Sequence, residues 1–306
     1  MATSNTKVNF VARAVIYNVL TIDIELPFSL NQFIFNEYPD KVALAYHLGG
    51  EEEPAHWDPT YPKWYVFIEF PFSVMKRDDR FPVEFFVTEA TATKILSELL
   101  TVLQLYSPTP FGGRIHAIRP LSNKTFTNDD VVSFPKDIGA HPADPEVFFI
   151  ANDNISDIGQ HFKSLWRQDW RPIHLAVSRY MNSYTRDIFA EGFEPDDAFM
   201  DLMISLENIF GSPEAVVYKI AMRAACLLEA TAEGRRDLNK SIKYWYKKRS
   251  KIAHGDGNRV VEWKDVEALR DIVRQAIMRV WEIKLKGDKL DDYLFLGDRY
   301  QRIGTI

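Results

Sequence analysis

The feature that most constrains the fold of this chain is a change in the period of its apolar residues near residue 153. Before that point, short runs of aromatic and β-branched residues alternate with prolines, and after it apolar residues recur every three or four positions. A period of two is typical of half-buried strands, and a period near 3.6 is typical of helices. We therefore predict an α+β, strand-rich domain over residues 1–152 and an all-α helical bundle over residues 153–306.

Six segments of the first half have strand patterns, and one segment has a helical pattern. Residues 20–26 alternate apolar and polar side chains strictly, while the other segments are dense in aromatic and β-branched residues, which favour strands. The predicted strands cover residues 20–26, 42–48, 64–70, 83–88, 113–121 and 147–151. Apolar residues at helical spacing predict a helix over 91–106, and residues 122–145 are predicted to form a loop.

Six helices are predicted in the second half, and local signals mark several of their ends. Acidic residues follow Pro195, where a helix dipole favours them, Ser212 is suited to cap the next helix, and Gly255 is suited to a helix end. Gly234 is expected to separate two of the helices. The predicted helices cover residues 157–170, 173–189, 195–210, 213–230, 235–254 and 262–286.

The net charge of –6 is unevenly distributed along the chain. Residues 1–150 carry a net charge of –7 and residues 151–306 a net charge of +1, while the segment 234–254 holds eight Lys and Arg residues and one acidic residue. A basic stripe in an otherwise acidic protein suggests that one surface binds an anionic partner. A solvated helix face has the same composition, so composition alone leaves both interpretations open.

Neither a membrane segment nor a disulfide is expected. No stretch approaches the roughly 20 apolar residues that span a bilayer, and the N-terminus lacks the layout of a signal peptide, so we expect a cytoplasmic protein with no membrane partner. The single cysteine, Cys226, lies in an apolar run and is expected to be a buried core thiol. No histidine pair has the helical spacing and neighbouring carboxylate that a metal site needs, so neither a metal nor a cofactor is predicted.

Arg249 and His254 are the candidate catalytic residues. An arginine remains protonated at any cellular pH, whereas a histidine exchanges a proton near neutrality. This combination suits phosphodiester cleavage, in which negative charge builds on phosphate oxygens and protons must move. Five residues correspond to about 140° around a helix axis. The two side chains therefore converge only at a cleft, at a helix end or across a symmetric dimer.

Three sequence blocks resemble the Apea-like branch of the HEPN domain superfamily. The last block in the chain carries the Arg-x4-His signature, and the two blocks that precede it are similar to the preceding helices of that branch. The blocks are Leu206-Glu207-x-x-Phe210, Lys219-Ile220-x-x-Arg223-Ala224 and Tyr246-x-x-Arg249-Ser250-x-Ile252-x-His254-Gly255. The resemblance covers roughly residues 195–285, and nothing in residues 1–150 belongs to it.

The resemblance implies a helical bundle that dimerises and cleaves RNA without a metal ion. Such domains are typically endoribonucleases that serve as toxins or as abortive-infection effectors in anti-phage defence. By this analogy His254 acts as a general base or acid on the RNA 2′-OH, and Arg249 stabilises charge on the phosphate in the transition state. The expected product is a 2′,3′-cyclic phosphate.

Further residues have supporting or binding roles by the same analogy. Ser250 is expected to hydrogen-bond phosphate, and Glu207 and Arg223 either orient the site or pair with each other inside the bundle. The expected RNA contacts are Lys247, Lys248, Lys251 and Tyr246, because lysines attract a polyanion and an aromatic ring stacks on unpaired bases. Of the consecutive residues Tyr244, Trp245 and Tyr246, at least one is expected to face the core and at most two to be available for stacking.

The expected partners are RNA, with tRNA among the candidates, and a second copy of the chain. Residues 1–152 are expected to sense, restrain or dock a trigger, which would be a phage-derived molecule, or to bind an antitoxin. The alternative function is a catalytically silent HEPN-type module that uses the same helices for dimerisation or nucleic-acid binding.

Overall fold

The chain forms two compact units, Met1–Gln168 and Asp169–Ile306. The structure is a computed structural model, and the residues that it describes are 6–17, 19–22, 28–30, 32–36, 65–76, 85–123, 137–139, 148–151, 153–166, 170–185, 195–212, 216–255, 260–285 and 288–296. The predicted order, in which a strand-rich first part precedes a helical second part, is confirmed.

The first unit contains a six-stranded antiparallel sheet with the order β3-β4-β5-β1-β6-β7. Its strands are β1 (Thr6–Tyr17), β3 (Phe28–Leu30), β4 (Phe33–Asn36), β5 (Tyr65–Lys76), β6 (Gly112–Pro120) and β7 (Asp137–Gly139). A separate parallel pair joins β2 (Val19–Ile22) to β8 (Phe148–Ala151). Helix α1 (Phe85–Tyr106) packs against β5, β6 and β7.

The central strand β1 is not among the predicted strands. It pairs with β5 along its whole length, from Thr6 opposite Lys76 to Tyr17 opposite Tyr65. Consecutive residues Ala14, Val15 and Ile16 are all buried, which shows that both faces of the strand are covered here. A strand covered on both faces lacks the alternation of apolar and polar residues by which half-buried strands are identified.

Three predicted strands are confirmed: residues 64–70 as β5, 113–121 as β6 and 147–151 as β8. The predicted strand 20–26 is confirmed in part, as β2. The strand predicted over 83–88 is wrong in its described residues, since α1 begins at Phe85. Thr88, Ala92 and Leu96 are buried four residues apart, so the apolar run continues the buried face of the helix. Within the predicted loop 122–145, residues 137–139 form β7, and the predicted strand 42–48 lies outside the described residues.

Helix α2 (Ile155–Leu165) belongs to the first compact unit. The ring of Phe33 lies edge-on to those of Phe162 and Trp166, with centroid distances of 5.8 and 5.0 Å. His161 Nε2 lies 3.2 Å from the carbonyl oxygen of Val102 in α1. The compact units therefore divide after residue 168, whereas the change of sequence period lies near residue 153, because the first helix after that change packs on the sheet unit.

Every regular element that the structure describes in the second unit is a helix. A single 3-10 turn (Arg171–Ile173) precedes α3 (His174–Thr185), α4 (Pro195–Phe210), α5 (Val216–Leu228), α6 (Ala232–His254), α7 (Trp263–Ile283) and α8 (Asp288–Leu296). The predicted bounds of α4 are confirmed, and those of α3, α5, α6 and α7 are confirmed to within a few described residues at each end. The short α8 is not among the predicted helices, and of its described side chains only Leu290 is buried.

Helix α6 carries the candidate catalytic residues, and both of its ends are capped. The Thr231 hydroxyl accepts a hydrogen bond of 3.0 Å from Gly234 N, which places Gly234 inside the first turn and not between two helices, contrary to the prediction. At the other end Gly255 has a φ of 71°, and its N–H donates to Ile252 O. Glycine adopts this left-handed conformation without strain, so the predicted helix end at Gly255 is confirmed. Within the described ranges, no helix combines the length and apolar composition needed to cross a membrane.

Candidate nucleic-acid site on helix α6

Arg249 forms a loose ion pair with Glu207, which lies in the last turn of α4. The distance from Arg249 Nε to Glu207 Oε1 is 3.3 Å, and Nη2 donates to Oε2 at 3.4 Å. The side chains are 29% and 23% exposed, so solvent reaches both of them. Both distances are long for an ion pair between a guanidinium and a carboxylate, which is shorter when its hydrogen bonds are well aligned.

Tyr246 is bound to the same carboxylate. Its hydroxyl hydrogen-bonds Glu207, and the Arg249 guanidinium carbon lies 5.5 Å from the centre of its ring. Burial and then the charge and hydrogen bond of Glu207 raise the pKa of the Tyr246 hydroxyl, against the opposing effect of Arg249. Glu207 thus joins Arg249 and Tyr246 into one cluster, so Tyr246 already has a partner within the chain.

Arg223 and Glu207 have different partners instead of pairing with each other. Arg223 is buried, and its Nε and Nη2 donate to the two carboxylate oxygens of Asp291 in α8, each at 2.6 Å. Its Nη1 donates to the carbonyl oxygens of Phe210 and Gly211 at 2.8 and 3.2 Å. Arg223 therefore satisfies the carbonyl groups at the end of α4, one turn beyond Glu207, and it supports the site through the backbone.

His254 occupies the last turn of α6 and is exposed. Since α6 is helical from Ala232 to His254, the two candidate catalytic side chains leave its axis about 140° apart. Arg249 points to the side of the helix that faces α4, and His254 points to the solvent side. Among the described residues, no hydrogen bond or ion pair joins Arg249 to His254. Ser250, between them in sequence, is half-buried.

The three lysines predicted to bind RNA have different surroundings. Lys247 and Lys251 are exposed, whereas Lys248 forms an ion pair of 2.8 Å with Asp265 in the first turn of α7. Burial lowers the pKa of Lys248, but its hydrogen bonds with Asp265 and Tyr244 outweigh burial and leave the pKa raised. Lys248 therefore holds α6 against α7, and Lys247 and Lys251 remain accessible to a polyanion.

The structure reveals a longer row of basic side chains than the sequence blocks contain. Six side chains recur every three or four residues along α6, which places them within a sector of about 80° on the helix. This outer row consists of Arg236, Lys240, Lys243, Lys247, Lys251 and His254. Lys243 is half-buried and the others are exposed, and the buried residues Leu238, Ile242 and Trp245 lie on the opposite side of the helix. The charge of segment 234–254 indicated the row, and helical spacing identifies its members.

Two exposed tyrosines border the outer row. Tyr218 in α5 is 57% exposed, and the Lys243 ammonium lies 5.7 Å from the centre of its ring. Tyr244 is 55% exposed and lies on the other side of the row, where the Lys248 ammonium is 4.9 Å from the centre of its ring. Trp245, which follows Tyr244 and precedes Tyr246 in the chain, is buried. Of these three consecutive aromatic residues, Tyr244 is therefore the accessible one.

No protein-family model, curated protein or solved structure matches this chain. The resemblance to HEPN domains therefore depends on the three sequence blocks alone. Among the residues that the structure describes, no three His, Cys, Asp or Glu side chains lie together in a way that could hold a metal ion.

Proposed function

We propose that this protein is a metal-independent endoribonuclease that acts as a homodimer, with Arg249 and His254 as its catalytic residues. The observation that carries the proposal is the C-terminal end of α6, where a solvent-reached guanidinium and an exposed imidazole lie five residues apart at the end of the outer row. A polyanion is attracted to the row, and the two groups proposed for phosphodiester cleavage lie near its C-terminal end, with His254 in the row and Arg249 on the opposite side of the helix.

The chemistry is a transfer of the RNA phosphodiester to the neighbouring 2′ oxygen. His254 accepts the proton of the 2′-OH while that oxygen attacks phosphorus, and the P–O5′ bond breaks. The leaving O5′ takes a proton from water, and the imidazolium later releases its own proton to solvent. Arg249 binds the non-bridging oxygens, on which charge builds in the transition state. The products are a 2′,3′-cyclic phosphate and a 5′-OH end.

The angle between the two side chains supports a site that is shared by two copies. Arg249 and His254 diverge by about 140° in one chain, so a site in which each copy supplies one of the two groups fits them better than a site on one face of a single helix. A two-fold axis near the end of α6 brings Arg249 of one copy toward His254 of the other. Because two rows of cations repel each other, we place the contact at this end of the helix and the RNA between the rows.

Glu207 is proposed to remain paired with Arg249 until RNA binds. The carboxylate supplies the negative charge that a phosphate would supply, and its ion pair with Arg249 has contacts of 3.3 and 3.4 Å. By comparison, Arg223 and Asp291 are joined by two contacts of 2.6 Å. The weaker geometry at Arg249 supports an exchange in which a substrate phosphate takes the place of Glu207.

The biological role proposed from the resemblance is that of a toxin or an anti-phage abortive-infection effector. Residues 1–152 then sense a trigger or restrain the helical unit. They do so by binding a phage-derived trigger or an antitoxin. The second candidate function is a silent dimerisation or nucleic-acid-binding module. Its supporting observation is the Arg249–Glu207 ion pair, because an arginine whose charge is already neutralised contributes less to catalysis.

The test is cleavage of total RNA and tRNA in EDTA by the wild type and the Arg249→Ala and His254→Ala variants. The matched controls are His174→Ala and Arg279→Ala, which remove an exposed histidine and an exposed arginine elsewhere in the helical unit. We expect cyclic-phosphate ends from the wild type and both controls, and a loss of at least about 100-fold in the two site variants. Equal cleavage by His254→Ala and the wild type would contradict the proposal.

A further inference from the structure

We infer that the outer row and the tyrosines beside it bind a single strand of RNA with unpaired bases. The choice of RNA as the polymer rests on the proposed function. The proposed function requires only that RNA reach Arg249 and His254. The structure assigns the strand a path along α6 and residues that the sequence blocks do not contain: Arg236, Lys240, Lys243, Tyr218 and Tyr244.

The spacing of the cations fits a polyanion that lies along the helix. Successive members of the row are three or four residues apart, which corresponds to about 4.5 to 6 Å along the axis, and the whole row spans about 27 Å. Glu233 and Asp237 are the exposed acidic neighbours of the row on α6, and Asp237 pairs with Lys240 at 3.2 Å where both side chains are largely exposed. An exposed ion pair of this kind is weak and yields readily to a phosphate.

The two tyrosines indicate that the bases of the bound strand are unpaired. Both rings are more than half exposed and lie on opposite sides of the row, each next to a lysine. A tyrosine face stacks on a base of any sequence when that base is free of a partner. In a duplex the base faces are covered by neighbouring base pairs, so the rings would have nothing to stack on. The two exposed tyrosine rings beside lysines therefore favour single-stranded RNA over a duplex.

The path has a direction because His254 is its last member. From the scissile phosphate, the strand runs along α6 toward Ala232, and the tyrosines contact nucleotides on that side. This assignment moves the RNA contacts away from Tyr246 and Lys248, which are held by Glu207 and Asp265.

The test is binding of a labelled ten-nucleotide 2′-O-methyl RNA, measured by fluorescence anisotropy on the full chain. This probe has no free 2′-OH, so it is bound without being cleaved. It is compared with the same strand annealed to its complement. The variants are Tyr218→Ala and Tyr244→Ala, with Tyr218→Phe and Tyr244→Phe as ring-keeping controls. A Lys240→Gln/Lys243→Gln variant tests the charges, and Lys163→Gln, an exposed lysine of the first unit, is its control.

We expect the wild type to bind the single strand more tightly than the duplex. Each Tyr→Ala variant should bind the single strand about tenfold more weakly than the wild type, whereas the Tyr→Phe variants should bind it like the wild type. The double lysine variant should bind more weakly and with a shallower salt dependence, by about 0.7 in the log–log slope for each phosphate that the lysines no longer neutralise. The inference is overturned if the duplex binds as tightly as the single strand, if neither binds, or if the Tyr→Ala variants match the wild type.

The two proposals fail in different ways. None of the substituted residues belongs to the catalytic pair, so cleavage by the wild type with unchanged binding in the tyrosine variants would overturn the RNA path and leave the nuclease. Binding that depends on the tyrosines, without cleavage by any protein, would overturn the nuclease and leave the path as the surface of a binding module.

Discussion

At the scale of single residues, the Glu207 carboxylate connects two members of the candidate site. It contacts the guanidinium of Arg249 and the hydroxyl of Tyr246. It therefore neutralises the charge of Arg249 and restrains the side chain of Tyr246. The sequence singles out Glu207 and Arg223 together, but it does not reveal their partners. Arg223 pairs with Asp291, which is 68 positions away in the chain and lies on a short helix without a strong sequence pattern.

The Glu207→Gln variant tests the role of this carboxylate. The substitution removes the charge that opposes phosphate at Arg249 and keeps the side chain's size, so we expect the 2′-O-methyl RNA strand to bind up to about fivefold more tightly, which corresponds to about 1 kcal/mol for a partly exposed pair. Fluorescence anisotropy measures the change. The control Glu267→Gln removes an exposed acid from α7 and should change affinity less.

The gain in affinity must depend on Arg249. In the Glu207→Gln/Arg249→Gln double variant the cation is absent, so RNA should bind no more tightly than it does to Arg249→Gln alone. A gain that persists in the double variant would show that Glu207 acts by general repulsion of RNA and does not compete for Arg249.

At the scale of elements, the sequence predicts those helices and strands whose pattern is local. The start of α4 follows from Pro195 and the acids after it, and the end of α6 follows from Gly255. Tertiary packing determines the rest. Strand β1 is buried on both faces and so lacks alternation, and the first turn of α1 resembles a strand because four residues do not reveal a helical period.

Helix α8 shows how a short element supports the site. Asp291 neutralises the buried Arg223, which in turn binds the carbonyl groups of Phe210 and Gly211 at the end of α4. Without Asp291 the guanidinium would remain in the interior without its counter-charge. Breaking such a pair is costly because one partner is left behind, although water reaches the exposed part of Asp291 and reduces the cost.

Asp291→Ala is therefore expected to lower the free energy of unfolding by about 2 kcal/mol, as measured by urea denaturation at pH 7. Asp292→Ala removes the exposed carboxylate next to it and should change stability by less than about 0.5 kcal/mol. Equal effects of the two substitutions would show that the Arg223–Asp291 pair contributes nothing beyond general surface charge.

The same pair predicts a pH dependence of stability. The hydrogen bond from Arg223 lowers the pKa of Asp291. Burial opposes this shift, and the charge of Arg223 adds to it. A lowered pKa means that the carboxylate stabilises the fold above its unfolded pKa of about 3.9, and that this contribution is lost as pH falls below that value. Between pH 5 and pH 3 the wild type should therefore lose stability more steeply than Asp291→Ala.

At the scale of the whole molecule, the proposed catalytic residues Arg249 and His254 lie on different sides of α6 in one copy of the chain. Arg249 lies on the side that faces α4, and His254 lies on the exposed side with the outer row. The sequence indicates this separation from the spacing of five residues. It does not indicate that Glu207 holds Arg249, which depends on the packing of α4 against α6. Cleavage by the proposed mechanism therefore requires two copies, each of which supplies one of the two residues.

Mixing the Arg249→Ala and His254→Ala proteins tests this requirement most directly. A dimer with one chain of each kind keeps one complete site, made of Arg249 from one copy and His254 from the other, if the site is shared. After exchange of subunits, about half of the dimers are mixed and each has one site of two, so RNA cleavage in EDTA should recover to about a quarter of the wild-type rate. Two inactive proteins that remain inactive when mixed, although exchange into mixed dimers is verified, would contradict the shared site.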